Sequence, residues 1–384
     1  MKDIIFYGVN DWRDIKQRPQ HLAERLAEKH RIVYLNPVGY SVLTHLRRRM
    51  CGGTHRSWRP HIERLTEHLW VFTPSPALPF SRRFRILNRL NQALLASQLK
   101  PLLAQMGMEH PLLWISFPPA VDLVGRLNER HVIVDFLDHY QAFFTGLTRN
   151  TVAAMEKELL RRADIVFATS RLLLEECHRI NPDVHLVPNG VDASFFGRNR
   201  STLPEPEEFG GLSHPRFGFV GTISRWTDVD ILVELALKAP GASVIVIGPW
   251  EVPRPFFAPR NFYVLGPRPY QRLPEYLSSL DVGVIPFKMG PLADAINPVK
   301  LFEYAAAGLR IVAMATKELM HYSSWCTLAD SPYAFITAAL REGEEALREK
   351  NDDRLARRGV SFAKANDWDD RVTRINRLLE ALTE

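Results

Sequence analysis

The sequence predicts an α/β protein made of two doubly wound domains facing a cleft, and three observations carry that expectation. The chain has 384 residues, more than one hydrophobic core usually organises, and 46% of them are hydrophobic, enough for two cores. Short β-branched runs alternate with stretches of helical spacing, the pattern of parallel strands covered on both faces. The alternation stops once, in the Pro- and Gly-containing stretch from Ser194 to Gly211, and then starts afresh.

In the first series, strands are predicted at Ile4–Val9, Arg31–Asn36, Leu69–Thr73, Leu112–Phe117, His131–Leu137, Ile165–Thr169 and His185–Pro188. Helices fit Pro19–Lys29, Arg82–Met106 and Thr151–Arg162. The second series has strands at Phe217–Gly221, Ser243–Ile247, Phe262–Leu265, Val282–Pro286 and Arg310–Ala315, with helices starting at Asp228, Leu273, Pro298 and Tyr333. Residues 1–196 therefore read as one Rossmann-like domain, 197–214 as a linker and 215–366 as a second Rossmann-like domain. The tail 367–384 has helical spacing. Ligands in such sheets bind outside the carboxyl ends of the strands.

Several function classes are excluded. The charge balance is +6 with a pI near 9.2, but no nucleic-acid recognition motif accompanies it. A dinucleotide oxidoreductase needs Gly-x-Gly-x-x-Gly after its first strand, where this chain has Gly8-Val-Asn-Asp-Trp12. No apolar run reaches the length of a membrane span, and the start Met-Lys-Asp-Ile-Ile-Phe enters a strand directly, so a cytoplasmic location is expected. Cys51, Cys177 and Cys326 are widely spaced, form no metal pattern and fit a reduced compartment.

The chemistry concentrates in Asn297-Pro-Val-Lys-Leu-Phe-Glu-Tyr-Ala-Ala-Ala-Gly308. Asn297 reads as an N-cap, Pro298 as the first helical residue and Gly308 as the stop. A helix start attracts phosphate through its N–H groups and partial positive charge. Lys300 adds a cation where helices disfavour one, which implies an anion beside it, together with Val299 of the same turn. Glu303 shares its face and can accept two ribose hydroxyls. The other reading of this pair is a surface ion pair. After the strand Phe217–Val220, Gly221 and Thr222 begin a tight turn, and Thr227 with Asp230 reads as a capping box opening a second helix start. Arg225 is the extra cation there, able to grip phosphate through two hydrogen bonds, or else an exposed side chain on an ordinary turn. Gly248 ends Ser243–Ile247 and either lets a nucleotide approach or turns the chain. Asp294 in the loop before Asn297 either contacts sugar hydroxyls or is solvated.

In the first half, the strand from Val132 ends in Asp135, Asp138 and His139. Asp138 is the candidate general base if the reaction inverts the anomeric centre, and orients the acceptor if it retains; otherwise it caps the loop, with His139 at the surface. Between the first strand and helix, Trp12, Arg18 and Gln20 are candidates for contact with sugar, diphosphate or acceptor, Trp12 alternatively being covered by its own domain. Asn189 and Gly190 read as a turn with φ > 0, or as a close approach to substrate. From His45 to Arg64 there are six arginines (Arg47, Arg48, Arg49, Arg56, Arg59, Arg64) against Glu63 alone. From Ser81 to Lys100 there are five basic residues and no acid. Interleaved with Leu43, Leu46, Trp58, Leu78, Phe80, Phe84 and Leu87, they form either a cationic, partly apolar face for an anionic membrane surface or the solvated side of a core helix.

The Asn297–Gly308 segment resembles the nucleotide-sugar site of two-domain glycosyltransferases of the GT-B type, in particular the branch of teichuronic-acid and related surface-polysaccharide transferases. Asp11-Trp-Arg-Asp-Ile-Lys-Gln-Arg-Pro-Gln-His-Leu22, Val187-Pro-Asn-Gly-Val-Asp192 and Gly221-Thr-Ile-Ser-Arg-Trp-Thr-Asp228 match in order, so the likeness spans most of the chain. The resemblance implies a last helix that crosses back onto the first domain and a loop around Arg268 and Pro269 beside a uracil. It also implies an acidic pair of which Asp138 matches the first member and His139 replaces the second. It implies a second Glu eight residues before Glu303, where this chain has Ala295. The expected activity is metal-independent transfer of a hexose-type sugar from a nucleoside diphosphate, UDP foremost, to a surface glycan or lipid-linked acceptor. No cofactor or metal is expected, because no Asp-x-Asp stands at a strand end and Lys300 and Arg225 can meet the charge of the leaving diphosphate. The alternatives are a non-catalytic nucleotide-sugar-binding partner and a nucleotide-sugar epimerase of the same fold.

Overall fold

The computed structural model describes residues 1–37, 59–198, 202–349 and 353–383. The chain divides into two compact units, residues 1–187 with 374–384, and residues 188–373. Unit 1 contains the strands β1 (Asp3–Tyr7), β2 (Arg31–Leu35), β3 (His61–Arg64), β4 (Leu69–Thr73), β5 (Leu112–Ile115), β6 (His131–Phe136), β7 (Ile165–Ala168) and β8 (Val184–Leu186). They form one sheet in the order β3-β4-β2-β1-β5-β6-β7-β8, parallel throughout except for β3 against β4. The helices α1 (Arg18–Leu26), α2 (Arg85–Gln105), α3 (Gly146–Arg162) and α4 (Arg171–His178) cover it. Ile4, Ile5, Phe6, Val33, Leu113 and Trp114 are fully buried, as central parallel strands require.

Unit 2 contains β9 (Arg216–Val220), β10 (Ser243–Ile247), β11 (Phe262–Gly266), β12 (Val282–Ile285), β13 (Arg310–Met314) and β14 (Thr327–Ala329), all parallel, in the order β11-β10-β9-β12-β13-β14. Its larger helices are α5 (Val229–Lys238), α6 (Leu273–Ser278), α7 (Val299–Ala306), α8 (Pro332–Arg348) and α9 (Asp353–Lys364). Alternate strand residues serve opposite faces: Ile245 and Ile247 pack with α6 and α7, while Val244 and Val246 pack with α5 and α8. On the α7 face, Gly218 of β9 and Gly283 of β12 lie side by side. A Cβ at Gly218 would meet Leu280 at 2.1 Å, and one at Gly283 the Tyr304 ring at 2.3 Å. Gly283 thus lets α7 lie directly on the sheet, which fixes where Lys300 and Glu303 stand, while Gly218 makes room for Leu280 beside it.

The last helix, α10 (Trp368–Thr383), begins in unit 2, and its residues from Arg374 belong to unit 1. There Ile375 and Leu379 are buried, and Asn376 Oδ1 lies 2.9 Å from His30 Nε2. The stretch expected as a linker falls within unit 2. Phe209 is fully buried in its core, and Arg216 donates to the carbonyls of Phe209 and Leu212 while its guanidinium sits 5.3 Å from the Phe209 ring centre. Pro and Gly content marks irregular backbone, but one aromatic residue and one arginine are enough to bind such a loop to a core. Four of the elements named above, β3, β14, α4 and α9, had no expectation in the sequence. The edge strand β3 is polar and exposed, so it lacks the apolar alternation of an interior strand. β14 has three residues, and α4 eight. The start of α4 was readable, since Ser170 Oγ accepts from Leu173 N as an N-cap.

Candidate functional site

In unit 2 the adjacent strands β9, β10 and β11 end in glycines with positive φ: Gly221 at 146°, Gly248 at 142° and Gly266 at 74°. The Gly221 carbonyl lies only 2.1 Å from where a Gly248 Cβ would stand, so Gly248 is glycine because the next loop crosses it. Gly221 N donates to Ile247 O, and Gly248 N to Gly266 O. The three strand ends are thus locked together, Gly248 buried between the half-buried Gly221 and Gly266.

Lys300 lies over this edge. A Cβ at Gly221 would be 3.1 Å from Lys300 Cε, and the ammonium sits 4.9 Å from the Phe219 ring centre and 5.2 Å from that of Phe287. Burial lowers the Lys300 pKa to about 8, opposed by attraction to Glu303. Burial also raises the Glu303 carboxyl to about 7, opposed by Lys300. Tyr304 OH accepts from Val220 N at 2.8 Å and pins the end of β9 to the same helix. Two aromatic faces hold a cation only modestly, so the site keeps a half-buried ammonium ready for an anion and, one turn on, a half-buried carboxylate able to accept hydroxyls. Phe219, Phe287 and Tyr304 escaped sequence reasoning, because aromatic residues in strands and helices read simply as core.

Several expectations are corrected. α7 starts at Val299 with Pro298 as its cap residue, and Asn297 does not cap it. The buried Asn297 side chain is a latch instead: Oδ1 accepts from Asn189 N at 3.0 Å, and Nδ2 donates to Glu318 at 2.9 Å and Tyr322 at 3.1 Å. Asn189 Nδ2 donates in return to Asn297 O at 2.6 Å. Asn189 and Gly190 do not adopt positive φ. Gly190 is needed because a Cβ would meet Asn366 O and the Trp368 ring, each at 3.0 Å. Thr227 does not cap α5, whose cap residue is Asp228; Thr227 Oγ1 instead accepts from Ser224 N within the preceding turn. Gly308, at φ 70°, ends α7 as expected.

Arg225 and Thr222 lie on the loop after β9, Arg225 exposed and Thr222 half-buried. Arg268 is committed to structure: Nε donates to Tyr276 OH at 2.9 Å, a terminal nitrogen to Leu265 O at 2.7 Å, and another lies 3.1 Å from Glu208. Asp294 Oδ1 accepts from Lys317 N at 3.0 Å. Ala295, where the resemblance implied a longer acid, is fully buried.

In unit 1, Arg18 and Gln20 are buried structural groups. The Arg18 guanidinium forks onto Asp135 through contacts of 2.8–3.1 Å, and Arg18 is only 4% exposed. Gln20 Oε1 accepts from Gln17 N, closing a capping box at the start of α1. Trp12 packs edge-on against Tyr34 at 4.9 Å, and its backbone N–H donates to Asn36 Oδ1 at 2.8 Å. All three were expected near a ligand because they open a βα turn; the partners Asp135 and Asn36 lie too far along the chain for spacing to reveal them. Asp138 and His139 follow β6. Asp138 is half-buried, and desolvation raises its carboxyl to about 7. His139 Nε2 stands 3.1 Å from Glu176. Cys177 and Cys326 are buried thiols whose pKa burial pushes up to about 12, and Cys51 lies outside the described residues. Among the described residues no group of three His, Cys, Asp or Glu side chains is arranged to hold a metal ion.

No protein-family model matches the chain. It is 26% identical over 309 residues, 75% of its length and 76% of the relative's, to a protein of Bacillus subtilis (strain 168) named "Putative teichuronic acid biosynthesis glycosyltransferase TuaH". Among solved structures it is similar to a UDP-forming α,α-trehalose-phosphate synthase of Burkholderia xenovorans in complex with glucose-6-phosphate, with TM-score 0.71, 12% identity and all of both chains covered. HepE of Anabaena in complex with UDP and glucose gives TM-score 0.62 at 13% identity, over 99% of this chain and all of that one. The catalytic domain of Arabidopsis thaliana starch synthase IV bound to ADP and acarbose gives 0.66 at 11%, over all of both chains. These likenesses establish the GT-B fold, with two parallel-sheet units in one chain.

Proposed function

We propose that this chain of GT-B fold, homologous to a teichuronic-acid transferase, is a metal-independent glycosyltransferase that moves a hexose-type sugar from a nucleoside diphosphate to a surface glycan or its lipid-linked precursor. The observation that carries the reading is Lys300 and Glu303, both half-buried and one turn apart on α7, set against the glycine-lined ends of β9 and β10. Lys300 meets the diphosphate together with the start of α7 at Pro298 and Val299, and Glu303 accepts the ribose hydroxyls. Gly221, Thr222 and Gly248 supply backbone at close range, and the exposed Arg225 adds a second cation. Arg268 contributes through the loop that it braces. UDP is the preferred donor base, supported by the UDP in the HepE structure and the UDP-forming synthase. Since Lys300, Arg225 and the helix start balance the departing charge, turnover should persist in excess chelator. Asp138, poised near neutral pH, takes the proton of the acceptor hydroxyl if the reaction inverts.

A thermal-shift panel of UDP-, GDP-, dTDP- and ADP-sugars tests the donor. UDP-sugars should raise the melting temperature most, because a ligand that binds only the folded state stabilises it. No shift with any of them, or a loss of turnover in chelator, would overturn the corresponding part of the reading.

The acceptor reading includes docking on an anionic membrane surface. No described helix is long and apolar enough to cross a membrane. On unit 1, Phe80 is 63% exposed, and Ile86 and Leu90 of α2, at 62% and 51%, continue through Leu94 as one stripe near the exposed Arg83. Arg85 and Arg89 contribute less to that face, because Arg85 pairs with Asp122 and Glu158 and Arg89 lies 3.7 Å from Asp122, while Arg82 packs over Phe117 and Phe144. Arg47, Arg48, Arg49, Arg56, Leu43, Leu46 and Trp58 lie outside the described residues. Flotation with liposomes should show binding that needs anionic lipid and weakens in high salt. Indifference to both would leave a soluble acceptor.

A further inference from the structure

We propose that the groove between α3 and α4 of unit 1 is a second binding site, taking a sugar unit that carries a carboxylate or a phosphate. The groove encloses about 590 Å³, within the range of small-molecule sites. Its residues come from the end of β6, the loop after it and the facing sides of the two helices, so the whole site lies in unit 1, apart from the donor-site residues.

Three features of the lining point to one ligand chemistry. Deep in the groove stands Glu156, only 5% exposed. Its Oε1 accepts from Gln141 Nε2 at 3.3 Å, whereas Oε2 has no hydrogen-bond partner among the described residues. A buried carboxyl oxygen left unpaired is costly, and a ligand hydroxyl removes that cost. Burial, helped by the nearby Glu176 and opposed by Gln141 and Tyr140, raises this carboxyl to about 7, so it can also donate. At the outer edge, Lys157, Arg161 and Arg179 are exposed and line the groove, and none forms an ion pair with a described residue. Three cations without such an ion pair, two on α3 and one at the end of α4, favour an anionic ligand. Between rim and interior, Phe136, Leu160 and Ile180 supply an apolar wall that suits the C–H face of a sugar ring. A hydroxyl inward, an apolar face and an anion outward describe an acidic or phosphorylated sugar unit. The His139–Glu176 pair closes the end nearest Asp138.

The test uses the full chain and titration calorimetry with glucuronate, glucose 6-phosphate, glucose, inorganic phosphate and UMP. Glucuronate and glucose 6-phosphate should bind at least ten-fold more tightly than glucose or inorganic phosphate. The double variant Arg161→Ala/Arg179→Ala, whose side chains are exposed and safe for folding, should lose at least ten-fold for both. Glu156→Gln should lose several-fold, and all variants should bind UDP as the parent does. Equal affinity for glucose and glucuronate, tighter binding of UMP or of phosphate alone, unchanged binding in the double variant, or no binding of either charged sugar would each overturn the proposal. UDP binding lies in unit 2 and reports on the donor reading separately.

Discussion

Two helix starts with nearly the same sequence signature meet opposite fates in this molecule. α1 opens Arg18-Pro19-Gln20 after the first βα turn of unit 1, and α7 follows Asn297-Pro298-Val299-Lys300 in unit 2. Both place a cation near a proline in the first turn, at the carboxyl edge of a parallel sheet. Arg18 is consumed by Asp135, a strand-end carboxylate that takes its guanidinium in a forked pair. Lys300 finds two aromatic faces and a carboxylate one turn along its own helix. A first-turn cation therefore points to a ligand only where the sheet edge offers no acid to neutralise it. The same rule separates the aspartates after Val134: Asp135 is paired and structural, while Asp138 is held near neutrality by desolvation.

The comparison is broken most forcefully at Arg18. Arg18→Ala leaves Asp135 charged and buried, so it should cost about 3–5 kcal/mol of stability. Chemical denaturation measures this, and donor affinity of the folded fraction should stay that of the parent. Arg18→Met with Asp135→Leu should recover most of the loss, since a buried ion pair is often replaceable by apolar groups. Loss of UDP binding in the double variant would make Arg18 a ligand group after all.

Asp138→Asn should fold and bind donor but lose about two orders of magnitude in transfer, the scale of a lost general base. It should also change the dependence of stability on pH. Because the folded-state pKa lies near 7, above the ordinary 3.8, the parent keeps a proton that the unfolded chain has lost, so this group erodes stability as pH rises from about 4 to 7. The Asn variant should lack that slope. Near-normal turnover would confine Asp138 to structure.

Fold class, the two-sheet organisation and the α7 segment were legible because each rests on local pattern: β-branched runs, a proline at a helix start and a glycine at its end. The roles of Trp12, Arg18, Gln20 and Asn297 were not. Each depends on partners such as Tyr34, Asp135, Gln17 and Glu318 that only the folded topology brings near, Gln17 excepted, and there the capping box begins with Gln in place of the usual Ser or Thr. Gly218 and Gly283 were equally silent, since a glycine inside a strand does not announce which helix will lie on it.

The finest test of the comparison is the pH dependence of donor binding. Lys300 has a folded-state pKa near 8, and a bound diphosphate favours its charged form, so binding raises that pKa. Affinity should then be full below about 8 and fall by up to about ten-fold per pH unit above it. Glu303 titrates near 7, and ribose hydroxyls that donate to it favour the ionised form, so affinity should also fall as pH drops through about 7. A UDP-sugar is the ligand to use, because its diphosphate, esterified at both ends, keeps a constant charge across this range. Calorimetry from pH 5.5 to 9.5 should give a maximum between about 7 and 8. Lys300→Ala should weaken binding about ten-fold, roughly one lost charge-assisted contact, and abolish the alkaline limb. Glu303→Gln should cost a few-fold and abolish the acid limb. If both limbs persist in both variants, other groups titrate with the donor, and Lys300 is as structural as Arg18.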